Sequence, residues 1–308
     1  MLITVEDVRR GLEKDEFAPF FQPLVTLRTG QLAGFEVLAR WHHPSAGSLP
    51  PDRFISVAEQ NGWIGALMKR LMQKAFEAAK FIPEPLTLAF NVSPLQLHDL
   101  GLPKQIQSAA EGLGFPLRRV VIEITESALV DNVERAQTIS NELKALGAKI
   151  ALDDFGTGYS SLLHLQSLPF DELKVDCSFV GSMTERRESR KIVAAVVGLG
   201  QSLGLTTVAE GIETREQAEM LLWLGCEQGQ GWLFGRPTPA EDLPATIEIS
   251  REKISFNQSA GLWGTQRGMR CPASGWRTCR RSTTGRRSDL PYSTATSAMS
   301  PSTSGSPT

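Results

Sequence analysis

Six apolar, strand-like stretches of this 308-residue chain each carry, at or near their ends, a side chain able to bind a cation or a phosphate. They are EVLAR at 36–40, FNVS at 90–93, VIEITE at 121–126, IALDDFGTGYSS at 150–161, ELKVD at 172–176 and TVAEGIE at 207–213. Runs of Val, Ile, Leu and Ala can be buried on both faces of a parallel sheet. An unpaired carboxylate there costs several kcal/mol, so acids repeated at strand ends call for a cation, a partner or solvent. Glu36, Asn91, Glu123, Asp153, Asp154 and Glu210 read as an oxygen-only ligand set, with Lys174 beside it and Gln230 on a later segment. No His or Cys lies in these motifs, and oxygen donors without soft ligands favour Mg²⁺ or Mn²⁺ over zinc or copper. So many acids facing one place imply more than one ion. Two hard cations about 3.5–4 Å apart suit in-line displacement at a phosphodiester.

The elements that must position these groups alternate in kind. Eight strand candidates, FFQPLV, GFEVLA, LTLAFNV, VVIEIT, KIALDDF, ELKVD, LTTVAE and GQGWLF, are interleaved with stretches such as IGALMKRLMQKAFEAAKF and SRKIVAAVVGLGQSLG. The latter carry apolar residues at three- and four-residue spacing and Gly at their ends, which predicts amphipathic helices. Strand–helix alternation predicts parallel βαβ units, and eight of them a TIM-like (β/α)8 barrel with its active site at the carboxyl ends of the strands. The Thr-Gly turn between the first two strand candidates reads as a hairpin, so the first strand is predicted antiparallel to the second.

With FQPLV at 21–25 and QGWLFGRP at 230–237 added, these ordered motifs resemble the EAL-domain cyclic di-GMP phosphodiesterases, whose name-giving triplet stands here as Glu36-Val37-Leu38. The resemblance runs from about Val5 to about Leu243, and Val37 in place of Ala changes no ligand. It implies the same modified barrel and hydrolysis of cyclic di-GMP to linear pGpG with two Mg²⁺ or Mn²⁺. Ca²⁺, larger and looser in geometry, is expected to bind and inhibit. The resemblance makes Glu36, Asn91 (through its amide oxygen), Glu123, Asp153, Asp154 and Glu210 metal ligands, with Asp153 bridging. It gives Arg40 and Gln22 to the substrate, Lys174 and Gln230 to the attacking water, and Glu126 and Glu213 to support of the loop and site. Lys174 beside two cations is expected to have a lowered pKa. A homodimer is also implied.

Blander readings stand beside these. Glu36 and Arg40 share one side of a strand and could form a structural ion pair. Asn91 reads equally as a cap for the next helix, Asp153 and Asp154 as a capping pair, and Glu126 as a first-turn acid. Within the resembled family some members bind cyclic di-GMP without cutting it, so a catalytically weak receptor is the alternative to an enzyme. A metal-independent glycosidase using Glu123 and Glu210 would leave Asn91, Asp153, Asp154 and Lys174 unexplained.

Composition narrows the rest. The net charge of −2 conceals a split, because residues 258–308 hold seven Arg and one Asp and leave −8 for the remainder. An acidic body is a poor general binder of nucleic acid polymers. Residues 1–257 read as the working domain. Residues 258–308, rich in Ser, Thr, Arg, Gly and Pro without periodicity, read as a disordered tail resembling vector-derived or out-of-frame sequence. No run of 18 apolar residues exists and the N-terminus is too charged for a signal peptide, so no membrane span and a cytoplasmic location are expected. Cys177 and Cys226 read as core or near-core residues, and His42, His43, His98 and His164 as surface or loop residues.

Overall fold

Apolar residues at alternate positions build the frame of the molecule. The computed structural model describes residues 3–129, 133–156, 165 and 167–250. Its strands are β1 (Phe17–Thr26), β2 (Leu32–His43), β3 (Gly47–Leu49), β4 (Thr87–Val92), β5 (Val120–Thr125), β6 (Lys149–Phe155), β7 (Glu172–Val175), β8 (Thr206–Ala209), β9 (Gln228–Gln230) and β10 (Thr238–Pro239). Strands β2, β4, β5, β6, β7, β8 and β9 follow one another as parallel neighbours. β1 closes the ring, antiparallel to both β2 and β9. The expected eight-stranded barrel with an antiparallel first strand is therefore present, with β3 and β10 as short additions at its margins.

Period-two alternation sorts the two faces of the barrel wall. Leu88, Phe90, Val120, Ile122, Ile124, Ile150, Leu152, Leu173 and Val175 join the large core beneath the helices. Ala89, Val121 and Ala151 form a separate small cluster. Layers of this kind fill a barrel interior with side chains.

The covering helices follow the predicted spacing. In α3 (Ile64–Ala78), after α1 (Val5–Glu13) and α2 (Ile55–Gln60), the buried residues are Leu67, Met68, Leu71, Met72, Ala75, Phe76 and Ala78. Beyond α4 (Leu102–Glu111), α5 (Val133–Ala145) and α6 (Cys177–Ser182), α7 (Arg187–Leu203) and α8 (Arg215–Leu224) both stop at left-handed glycines, Gly204 and Gly225. Residues 243–250 are also helical. Among the described residues no helix is long and apolar enough to cross a membrane.

Three expectations need correction. The eighth strand does not run through GQGWLF: β9 ends at Gln230, and the chain turns at 231–234, where the Phe234 N–H donates to the Gly231 carbonyl. Cys177 is exposed, because it opens α6 on the rim, whereas Cys226 is buried as expected. His43 is buried rather than superficial, since its Nδ1 accepts the Ser45 and Ala46 N–H groups of the following turn. His164, most of the loop after Phe155 and the segment 258–308 lie outside the described residues.

Candidate functional site

The same alternation that fills the interior with small residues sets the polar groups two positions further along each strand. Ala89 is followed by Asn91, Val121 by Glu123, Ala151 by Asp153, and Val208 by Glu210, all toward the carboxyl ends. Strand register brings Asn91 opposite Glu123 and Thr125 opposite Asp153. On β2, the neighbour of β4, Glu36 lies opposite Gln22 of β1.

Lys174 is the centre of the group and is 2 % exposed. Its Nζ lies 2.5 Å from Glu210 Oε1, 2.9 Å from Glu123 Oε1 and 3.3 Å from Asp153 Oδ2, as ion pairs rather than as well-aligned hydrogen bonds. Asp176 takes no part in this, because it caps α6 by accepting the Ser178 N–H. Glu36 is held differently: Asn91 Nδ2 and Gln230 Nε2 each donate to it at 2.6 Å, and Gln230 Nε2 also lies 3.2 Å from Glu210 Oε1. Asn91 thus turns its N–H toward Glu36, leaving the amide oxygen as donor atom. Ser93, not Asn91, caps the helical turn that follows.

Adjacent strand residues point to opposite faces, so Asp153 and Asp154 need a local break to share a site. The register between β6 and β7 shifts between Leu152 and Phe155, and Asp154 adopts φ 56°, an uncommon value outside glycine. Carboxylate oxygens of Asp153, Asp154 and Glu210 consequently lie within 4.8 Å of one another, close enough to share a metal ion.

The electrostatics demand more positive charge than Lys174 carries. Burial pushes the Glu123 carboxyl well above its ordinary value, and Glu36, Asp153 and Glu210 reinforce this against the pull of Lys174. Burial lifts Glu210 to about 8, again against Lys174 and with Asp153 and Glu36 adding to the rise. Asp154 is raised by burial and by Asp153. Glu36 is the exception: burial raises it, but Lys174, Gln230 and Asn91 outweigh that and hold it low. Burial lowers Lys174, yet Glu123, Glu210, Glu36 and Asp153 prevail and hold its ammonium well above the usual lysine value. This is the balance with the carboxylates alone, whereas the lowered value expected for Lys174 refers to the site with two cations in it. Glu123 Oε2 is buried without a hydrogen-bond partner, and this orphaned acceptor in an all-oxygen donor set fits a hard divalent cation.

Around this centre the remaining candidates scatter. Arg40 is half-buried, its guanidinium donating to the Ala39 carbonyl and lying 5.8 Å from the Phe20 ring centroid, with no ion pair to Glu36 among the close contacts. Glu126 is buried and accepts the Gly156 N–H at 3.4 Å, at the start of the loop it was expected to anchor. Glu213 is exposed, and its backbone N–H donates to Gln217. Sequence reasoning missed two neighbours. Glu172, inward and one layer below Lys174, pairs with Lys149 at 3.5 Å, and its two-residue spacing from Lys174 was the available signal. A cavity of about 250 Å³ opens beside Asn91, lined by Leu38, Ile55, Glu59, Met68 and Thr125 among others; it forms between α3 and the barrel wall, which no local pattern announces.

Comparison with known proteins accords with this geometry. The chain is 45 % identical over 237 residues to an uncharacterized signaling protein of Caulobacter vibrioides, covering 77 % of this chain and 29 % of that one. It is 40 % identical over 245 residues to the cyclic di-GMP phosphodiesterase RocR of Pseudomonas aeruginosa, covering 78 % of this chain and 62 % of RocR. Among solved structures, the PaMucR phosphodiesterase in complex with c-di-GMP matches with a TM-score of 0.73 at 36 % identity, over 78 % of this chain and 98 % of that one. The chain therefore spans less than two thirds of the length of the first of its curated relatives. Residues 5–237 match the model of the EAL domain, and the chain belongs to the EAL domain family.

Proposed function

We propose that this chain hydrolyses one phosphodiester bond of cyclic di-GMP, giving linear pGpG. The observation that carries the reading is the ring of Glu123, Asp153 and Glu210 around a buried Lys174, with Glu36 held by two amides at its edge. Its support also includes the names of similar proteins, RocR and PaMucR. Glu36, Asn91, Glu123, Asp153, Asp154 and Glu210 would hold two Mg²⁺ or Mn²⁺ ions. When bound, such ions supply water activation and charge neutralisation at the phosphate.

The chain's own residues supply position. Arg40, with its planar fork of donors, grips a phosphate, assisted by Gln22. Lys174, kept as an ammonium by its neighbours, donates to the attacking water and orients it in line with the scissile bond. Nearby carboxylate oxygens accept the water's proton. Gln230, tied to Glu36 and Glu210, limits where that water can sit. Glu126 holds the backbone at Gly156, and Glu213 is assigned to support beside it. Residues 1–257 form the working unit in this reading, the protein acts in the cytoplasm, and it pairs as a homodimer.

The test is incubation with cyclic di-GMP and Mg²⁺ or Mn²⁺, with pGpG followed by chromatography. Cleavage that stops with a chelator and with Ca²⁺ substitution is expected. Tight binding without any pGpG would favour the receptor reading, and cleavage indifferent to chelation would remove the metal assignment.

A further inference from the structure

Arg40, the residue assigned to a substrate phosphate, stands on an overhang. Pairing of β2 with β4 ends at Val37 and pairing with β3 begins at Trp41, so along that edge Arg40 lies between the two ladders. Its support comes from β1, where Ala18 is its partner, and from what lies behind the strand. Trp41, the next residue, points to the opposite face. It is fully buried in a second core, apart from the main one, that Val8 of α1 builds with Phe17, Phe54, Ala58, Leu67 and Leu71.

Trp41, His42 and His43 are each tied to the segment that runs from α1 into β1. The Trp41 indole N–H donates to the Glu16 carboxylate and the His42 backbone N–H to the Glu16 carbonyl, both at 2.9 Å. Arg10 Nη2 lies 3.1 Å from His43 Nε2 and 3.7 Å from the same Glu16 oxygen. α1 itself presses on the indole, since a Cβ at Gly11 would lie 2.9 Å from Trp41 Nε1. A buried indole needs an acceptor, but any single acceptor would satisfy it. Here one residue holds two consecutive residues of β2, through its side chain and through its backbone.

We infer that Glu16 is a positioning residue: by fixing Trp41 and His42 it sets where the end of β2 holds the Arg40 guanidinium against the substrate phosphate. The inference rests on the cyclic di-GMP phosphodiesterase reading and deepens it. A bidentate guanidinium–phosphate contact tolerates little displacement of the strand beneath it. Glu36, four residues earlier, lies where β2 is paired on both edges, so the proposed metal ligands keep their places when the overhang is loosened. The effect of Glu16 passes through Arg40 and falls on substrate binding.

The experiment measures cyclic di-GMP turnover by wild type, Glu16→Ala, Glu16→Gln and Trp41→Phe, and kcat/KM for Arg40→Ala with and without Glu16→Ala. Glu16→Ala is expected to raise KM roughly 10-fold with kcat nearly unchanged, a fraction of the about 10²-fold that a misplacement of about 1 Å can cost. Glu16→Gln, which keeps an acceptor for the indole, should recover most of the loss, and Trp41→Phe, which removes the donor, should reproduce it. In the Arg40→Ala background Glu16→Ala should change kcat/KM less than twofold, because two residues acting through one contact are not additive. A KM within twofold of wild type in Glu16→Ala, or an undiminished loss on top of Arg40→Ala, overturns the inference and leaves the phosphodiesterase reading standing. Should Glu16→Ala not fold, Trp41→Phe decides by the same KM criterion. A wild-type protein that cleaves no cyclic di-GMP overturns both.

Discussion

Glu36 and Glu123 are the same residue type, 7 % and 4 % exposed, on strands of one barrel, yet their surroundings drive them in opposite directions. Glu36 sits where two amide N–H groups, from Asn91 and Gln230, meet its two oxygens, and it stays charged. Glu123 meets Lys174 through one oxygen, while the other has no partner and Glu36, Asp153 and Glu210 crowd it. Burial alone therefore does not set the state of an acid in this site: directed donors do on one side, and a shortage of positive charge rules on the other. In the proposed reading, the lysine-centred side is the part that a cation would complete.

Substitutions can break this contrast in graded ways. The largest effect is expected from Asp153→Ala or Glu36→Ala, which remove one ligand from each side; both should abolish pGpG release, and elemental analysis should show lost metal. Near-normal turnover with a full metal complement would refute the ligand assignment. Next, Lys174→Ala takes away the ammonium that three carboxylates share. It should lower kcat by about 10²- to 10⁴-fold while affinity for cyclic di-GMP changes little. Collapse of binding with kcat intact would make Lys174 a substrate-binding residue instead.

Removing one amide from Glu36 is gentler. Asn91 is also a proposed ligand, so Gln230→Ala is the cleaner variant; metal affinity should fall about 10- to 100-fold, as for other groups that orient ligands. Unchanged affinity in a metal titration would show that Glu36 needs no second donor. The smallest effect is one of stability: in the presence of chelator, Glu123→Gln relieves crowding among the carboxylates and should raise Tm slightly, whereas Glu36→Gln, which sets an amide against two amide donors, should lower it. Equal shifts of Tm would erase the distinction between the two sides.

Much of this was legible in the chain because alternation is a local property. A polar residue two positions after a small inward one, as in Ala89–Asn91, Val121–Glu123 and Ala151–Asp153, can be read before any fold is known. The hairpin at Thr29–Gly30, the glycine stops of α7 and α8 and the eight-strand count are likewise local. Local reading failed where a segment's fate depended on a distant one. GQGWLF has the composition of a strand, but Gly231 must pack on the Ile212 backbone, so the chain turns. Cys177 follows a buried strand and yet begins a helix on the rim.

By itself the sequence determined which residues line the interior, which polar residue types stand at the strand ends and the family, since each depends on residue type and short-range spacing. Only the tertiary structure decided which acids share a proton-hungry pocket and which are held by amides. Gln230 and Glu36 lie 194 residues apart and meet because β1 closes the barrel between β2 and β9. The same closure keeps Lys174 charged, because the balance between desolvation and Coulomb attraction is fixed by distances across the ring and not along the chain.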